Sequence, residues 1–221
     1  IDLYQLHWPN HETPIDETLG ALDALKAEGK IRAYGVSNFG VRDLGEAAAA
    51  GKAISSNQLA YSLLFRALEY EILPLCLQHD VAVLTYSSLM QGLLAGKYAT
   101  ADDVQPDRAR TRHYSSARPF ARHGEAGVEA ETFAAVAAIR QIAGELGQPM
   151  ADIGLAWLIA QPGVTSVIAG ARDAAQARGI ARAVDLTLSA ETLARLSQVT
   201  EALKQKLGSN PDMWQGVSRM R

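Results

Sequence analysis

The feature that most constrains this chain is its rhythm. Short apolar segments alternate with helix-length segments from residue 1 to residue 183. Residues 1–6 form an apolar run ended by the turn signal His7-Trp8-Pro9-Asn10. Residues 13–28 carry Ile15, Leu19, Leu22 and Leu25 at helical spacing. Thr13 is placed to cap that helix, Pro14 to open it and Gly29 to end it. Further strands are predicted over 31–36, 55–59, 81–86 and 164–168, and helices over 43–50, 68–79, 129–147, 150–161 and 173–183. Ser189 is a good N-cap for one more helix, whose apolar stripe is Leu193 and Leu196. Five β-α units in succession imply a parallel sheet covered by helices.

Two architectures satisfy that rhythm, a doubly wound sheet and a (β/α) barrel. No Gly-x-Gly-x-x-Gly follows any strand, which weakens the dinucleotide-fold alternative. The regular progression favours a parallel (β/α)8 TIM barrel. Five units are fewer than such a barrel closes with, and the chain opens on Ile1 in mid-strand. The expectation is therefore an incomplete barrel of about five β-α units, truncated at its N-terminal side by three. Residues 1–207 are read as that barrel and 208–221 as a polar tail outside the core. The polar, irregular stretch from 89 to 127 reads as a functional or mobile loop. Its basic residues between Arg108 and Arg122 read as a solvated surface, and Tyr114 and Phe120 as candidate substrate-wall residues.

Charge excludes some partners. With 21 basic and 24 acidic residues the net charge is −3, which gives no reason to expect nucleic acid or an anionic membrane. Cys76 is the only cysteine and lies in an apolar stretch, so it reads as a small buried hydrophobe. A chain with no disulfide, no signal pattern and no apolar run of spanning length is expected in the cytoplasm.

In barrels of this kind chemistry sits where strands end. After the first strand comes His7, after the second Ser37-Asn38-Phe39, and near the third Gln58. After the fourth come Tyr86-Ser87-Ser88-Leu89, then Gln91-Gly92 and Gly96-Lys97; after the fifth come Gly170-Ala171-Arg172. Each has a plain local reading: His7 as a turn histidine, Ser37-Asn38 as turn chemistry, Tyr86 as a half-buried barrel-end tyrosine. Five polar or aromatic strand ends in one chain are more than a structural barrel needs, and they favour a site.

These residues also carry a resemblance. Asp2-Leu3-Tyr4-Gln5-Leu6-His7-Trp8-Pro9, Gly35-Val36-Ser37-Asn38-Phe39, Tyr86-Ser87 through Gly96-Lys97, and Ile168-Ala169-Gly170-Ala171-Arg172 resemble the aldo-keto reductases in order and spacing. The resemblance implies a nicotinamide cofactor bound in extended form and a small-molecule carbonyl substrate. His7 then resembles the active-site histidine that hydrogen-bonds the carbonyl, where a donor stabilises developing negative charge. Ser37, Asn38 and Gln58 resemble the grip on the nicotinamide carboxamide, which offers one acceptor and two donors. Tyr86 resembles the ring stacked on the nicotinamide. Ser87, Leu89, Gly92 and Lys97 fall where the family loop covers the pyrophosphate, and Gly170 lies in the turn before Arg172. Arg172, ahead of a helix start, resembles the residue binding the adenosine 2′-phosphate, which favours NADP(H) over NAD(H). Gln176 falls at an adenosine contact. Where the family commonly has Asn one turn on, this chain has Ile180, and Asp173 beside Arg172 tempers the NADP(H) preference.

The resemblance implies an NADP-dependent oxidoreductase reducing an aldehyde or ketone to an alcohol. The family's proton-donor tyrosine, with its lysine and aspartate, matches nothing here, so the chain by itself is expected to turn over little. The rival reading is a non-catalytic barrel that binds nicotinamide cofactor as a regulatory subunit. No metal-ligating set is expected.

Overall fold

A computed structural model describes residues 1–221. Five strands form one all-parallel sheet in chain order: β1 (Leu3–Leu6), β2 (Ala33–Ser37), β3 (Ser56–Ala60), β4 (Ala82–Tyr86) and β5 (Val164–Val167). Each strand returns to its neighbour through helix: α1 (Ile15–Ala27), α2 (Val41–Ala49), α3 (Ile72–Gln78), then α4 (Glu129–Glu145) with α5 (Met150–Ile159). After β5 come α6 (Ala174–Arg182), α7 (Ala190–Val199) and α8 (Glu201–Leu207). The alternation in the sequence is thus the alternation in the fold. No helix is long and apolar enough to cross a membrane.

Strands β2 and β3 are buried on both faces, as expected of parallel strands under helices. Tyr34, Val36, Leu59 and Val83 from the strands meet Leu19, Leu44, Ala47 and Ile72 from the covering helices in one core. Gly35 is there for lack of space. A Cβ at that position lies 2.9 Å from the Ser56 carbonyl oxygen of the adjacent strand.

Some boundaries move for physical reasons. Pro14 sits at the N-cap of α1, not inside it, and Thr13 makes no cap bond. The predicted helix 68–79 is a 3-10 turn (Ala67–Glu69) followed by α3. Pro74 explains the break: inside a helix running from residue 68, its ring clashes with the carbonyl four residues back, whereas in the first turn of α3 it is tolerated. Gly29 ends α1 at φ 73°, and Ser189 accepts from the Thr192 amide as the N-cap of α7.

Two expectations from polarity are overturned. The stretch between β4 and α4 is packed, with Tyr98, Val104, Ala109 and Tyr114 all in the core. Arg112, read as solvated, is buried and donates to the carbonyls of Leu207 (2.8 Å) and Asn210 (3.1 Å) and to Glu125 (2.9 Å). Tyr114 is a buried anchor under Arg118, not a wall residue. The segment after Gly208 does not lie outside the core either, since Met213 and Met220 are buried in it. Its Asp212 is buried and binds Arg219 (2.7 Å), whose guanidinium stacks 4.0 Å above the Trp8 ring. Its last residue bonds Asp43 at the start of α2.

Cys76 is buried, and burial pushes its thiol up to about 11, so it packs as a hydrophobe. His113 is also fully buried. Its Nε2–H donates to the Leu64 carbonyl (2.7 Å), and Nδ1 accepts from the Thr111 hydroxyl (3.1 Å). Burial lowers its pKa from 6.5 to about 4. The folded chain therefore holds it neutral while the unfolded chain protonates it below about pH 6.5.

Two outcomes follow. The His113 contribution is complete above about pH 6.5 and is lost as pH falls toward about 4, on the order of 3 kcal/mol in all. Urea midpoints measured across that window should fall more steeply in the natural chain than in His113→Gln, which keeps a donor and an acceptor but cannot charge. Gly35→Ala should destabilise the sheet by about 1–3 kcal/mol, read as a lowered urea midpoint at unchanged slope.

Candidate cofactor-binding site

Parallel strands bring all five strand ends to one rim, and two clusters form there. The first is built by register. Ser37 pairs with Gln58, and Ala60 with Tyr86. Asn38 follows β2 in the left-handed region, at φ 62°. That turn lets its amide nitrogen donate to the Gln58 carbonyl (3.0 Å) while its side chain reaches across the rim. The carboxamide Nδ2 donates to the His7 carbonyl (3.0 Å) and to Ser37 Oγ (3.1 Å), and Oδ1 accepts from the Tyr86 hydroxyl (2.8 Å). Ser37 in turn donates to the Gln58 carbonyl (2.8 Å). The structure thus brings Ser37, Asn38, Gln58 and Tyr86 together. His7 is exposed at the same rim and gives this network its carbonyl, not its imidazole.

Tyr86 is held as a neutral phenol. Burial pushes its pKa up to about 12, the nearby Asp212 carboxylate adds to the rise, and Arg219 opposes it. The segment after Gly208 therefore places an acid and a base near Tyr86, a contribution that its polar sequence does not reveal.

The second cluster is a cleft of about 400 Å³ between the turn after β4 and the turn after β5. Ser87, Leu89, Gly92 and Lys97 line one side; Gly170, Arg172 and Gln176 line the other. The turn after β4 is sharply folded. Ser87, Met90, Gln91 and Gly92 all have positive φ, from 43° to 99°. Three of these are not glycine, and backbone of that kind persists only where the surroundings enforce it.

The charges in the cleft are cationic. Lys97, Arg108 and Arg172 line it, and their side chains form no ion pair with the chain's own carboxylates. Asp173, adjacent to Arg172, is occupied elsewhere. It caps α6 by accepting from the Gln176 amide (2.8 Å), and its other oxygen accepts from Gln176 Nε2 (2.9 Å). Gln176 closes the turn by accepting from the Arg172 backbone amide (3.2 Å). Arg108 was missed from sequence because it opens the basic stretch read as solvated loop; packing of Val104 and Ala109 beside it brings it to the cleft. Unpaired cations converging on a concave surface beside a helix start suit a multiply charged phosphate ligand.

Comparison with known proteins agrees in kind. The profile of the Aldo/keto reductase family matches residues 1–201. The chain is 33% identical over 210 residues to an NADH-specific methylglyoxal reductase of Escherichia coli, covering 93% of this chain and 60% of that protein. Among solved structures it resembles the glycerol dehydrogenase AKR11B4 of Gluconobacter oxydans, with a TM-score of 0.75 at 29% identity over 91% of this chain and 59% of that one. It also resembles an aldo/keto reductase of Klebsiella pneumoniae in complex with NADP and acetate, with a TM-score of 0.66 at 30% identity over 90% of this chain and 59% of that one. The chain spans about three-fifths of the length of the curated relatives it matches. It belongs to the aldo/keto reductase family of oxidoreductases.

Proposed function

We propose that residues 1–221 form the cofactor-holding part of an NADP(H)-dependent reductase that converts an aldehyde or ketone to an alcohol. The observation that carries the reading is the cleft of three cations without carboxylate partners, with Asp173 diverted into capping α6. A dinucleotide with a pyrophosphate and a 2′-phosphate presents the matching charge. We read Lys97 as the pyrophosphate cation, and Arg172 and Arg108 as the pair for the 2′-phosphate, because a guanidinium binds a phosphate through two parallel N–H donors. Ser87, Leu89, Gly92, Gly170 and Gln176 shape the walls around it. We further read the five-stranded sheet as the larger part of a (β/α)8 barrel.

When bound, the cofactor supplies a hydride to the carbonyl carbon. The residues of the first cluster orient that chemistry. Ser37, Asn38 and Gln58 carry the donors and acceptors that a carboxamide requires. Ser37 and Asn38 are fixed in position by bonds to each other and to the Gln58 main-chain carbonyl. Tyr86 offers a flat ring fixed by its bond to Asn38. His7, exposed at the rim, donates to the carbonyl oxygen as charge builds there.

The proton needs another source. Of the seven tyrosines, Tyr34, Tyr61, Tyr70, Tyr86 and Tyr98 already donate to partners within the chain, Tyr114 is buried under Arg118, and Tyr4 lies on exposed β1. None is a matched acid beside His7. The chain by itself is therefore expected to bind cofactor with little turnover.

Titration of nicotinamide fluorescence tests the reading. NADPH should bind more tightly than NADH. Arg172→Ala should weaken NADPH about tenfold while leaving NADH almost unchanged. Lys97→Ala should weaken both alike. Equal affinity for the two cofactors, or an Arg172→Ala effect shared by both, defeats the NADP(H) assignment; absence of binding to either defeats the cofactor site itself.

A further inference from the structure

We propose that Arg110 receives a carboxylate of the carbonyl substrate, so that the compounds served best are aldehydes and ketones that are also acids. This rests on the reductase reading above and names the substrate class of that same site. Residues 108–112 run from Arg108 in the phosphate cleft to Arg112, whose amide donates to the Met213 carbonyl (2.9 Å). Arg110 lies between those two points, with its guanidinium 5.3 Å from the centre of the Trp214 ring. The Trp214 amide donates to Asp212 Oδ1 (3.0 Å), and the same carboxylate binds Arg219, which stacks on Trp8 next to His7. One series of contacts thus joins Arg110 to the rim where His7 and Tyr86 stand.

The fold makes no use of the charge on Arg110. Three other arginines of these two segments each hold an acid: Arg112 pairs with Glu125, Arg118 with Glu129 and Asp102, and Arg219 with Asp212. No carboxylate is left for Arg110, and its Nε–H is enclosed without an acceptor. The side chain is half-buried, unlike that of Arg122, which is exposed to water. A guanidinium withdrawn from solvent is costly without a counter-charge. Stacking on an indole offsets part of that cost but leaves the in-plane N–H donors unmet.

A guanidinium laid on an aromatic face keeps its edge free, and that edge matches a carboxylate with two parallel N–H donors. Trp214 fixes the plane in advance, so little freedom is lost when the anion arrives. A single guanidinium balances a single negative charge, which suits a carboxylate; the multiply charged phosphates are met by the three cations of the cleft. With its acid on Arg110 and its carbonyl oxygen at His7, a substrate is held at two points, which orients the carbonyl.

The full chain is saturated with NADP+, which cannot reduce a carbonyl, and titrated calorimetrically with 4-carboxybenzaldehyde and with 5-oxohexanoate, each against its uncharged methyl ester. The natural chain should bind each acid about tenfold more tightly than its ester. Arg110→Met, which keeps the aliphatic stem over Trp214, should erase that preference while leaving the esters and NADPH bound as before. Arg110→Lys, with the charge but without the fork, should keep a preference of about threefold, with circular dichroism confirming that each variant is folded. Equal affinity of the natural chain for acid and ester, or binding of neither to its NADP+ complex, overturns the proposal and leaves the cofactor reading standing. Weaker NADPH binding by Arg110→Met with the acid preference intact also overturns it, and assigns Arg110 to the phosphate cleft. Failure of the natural chain to bind either nucleotide removes this inference together with the cofactor reading.

Discussion

Everything at the rim depends on the strands being parallel. A parallel pair cannot be joined by a tight turn, so each strand must be reached through a crossover. The helices that provide the crossovers bury both faces of β2 and β3. The same constraint sends every strand end to one edge, where residues from five separate connections meet. Register then decides which side chains meet. Pairing of Ser37 with Gln58 puts Asn38 within reach of both His7 and Tyr86. A slip of one residue exchanges Ser37 with Val36 on the two faces, which takes the hydroxyl away from Asn38 and the Gln58 carbonyl and breaks the network.

The rest of the chain is tied to this edge by buried polar groups. Asn57, wholly buried, donates to the Phe39 carbonyl at 2.9 Å and so fixes the turn that carries Asn38. Arg66 joins the turn after β3 to α7, donating to Glu69 (2.7 Å) and to the Ser197 carbonyl (2.7 Å). Arg112 joins the long connection to the chain end. Each of these groups is expensive to bury alone and tolerable because its donors are satisfied. They define positions that apolar contacts, which are non-directional, leave loose.

Much of this was legible in the sequence because its cause is local. Periodicity located the helices and strands, Gly29 and Ser189 marked helix ends, and the residues after each strand pointed to the rim. What escaped has causes outside any local window. Polarity does not mean exposure in the stretch 89–127 or after residue 208, where Tyr98, Arg112, Met213 and Met220 are buried. Arg112 lies 95 residues from Leu207, whose carbonyl it binds, and no pattern within either segment announces the other. Arg108 is hidden from a local pattern for the same reason. A basic residue in a polar loop looks solvated until Val104 and Ala109, buried beside it, bring it to the cleft.

The pair Arg172 and Asp173 shows how local and distant forces are weighed. Adjacent opposite charges suggest mutual neutralisation, which weakens a phosphate site. An exposed ion pair contributes at most about 1 kcal/mol, whereas a side-chain cap on a helix start contributes about as much through directed bonds and adds Gln176 to the arrangement. Asp173 therefore turns inward to the first turn of α6, where backbone amides need an acceptor. The guanidinium of Arg172 is left directed to the cleft with its charge unspent. The helix start that favours an anion is thus furnished with a carboxylate of its own, and the proposed phosphate contact rests on the free cation beside it, not on the helix dipole.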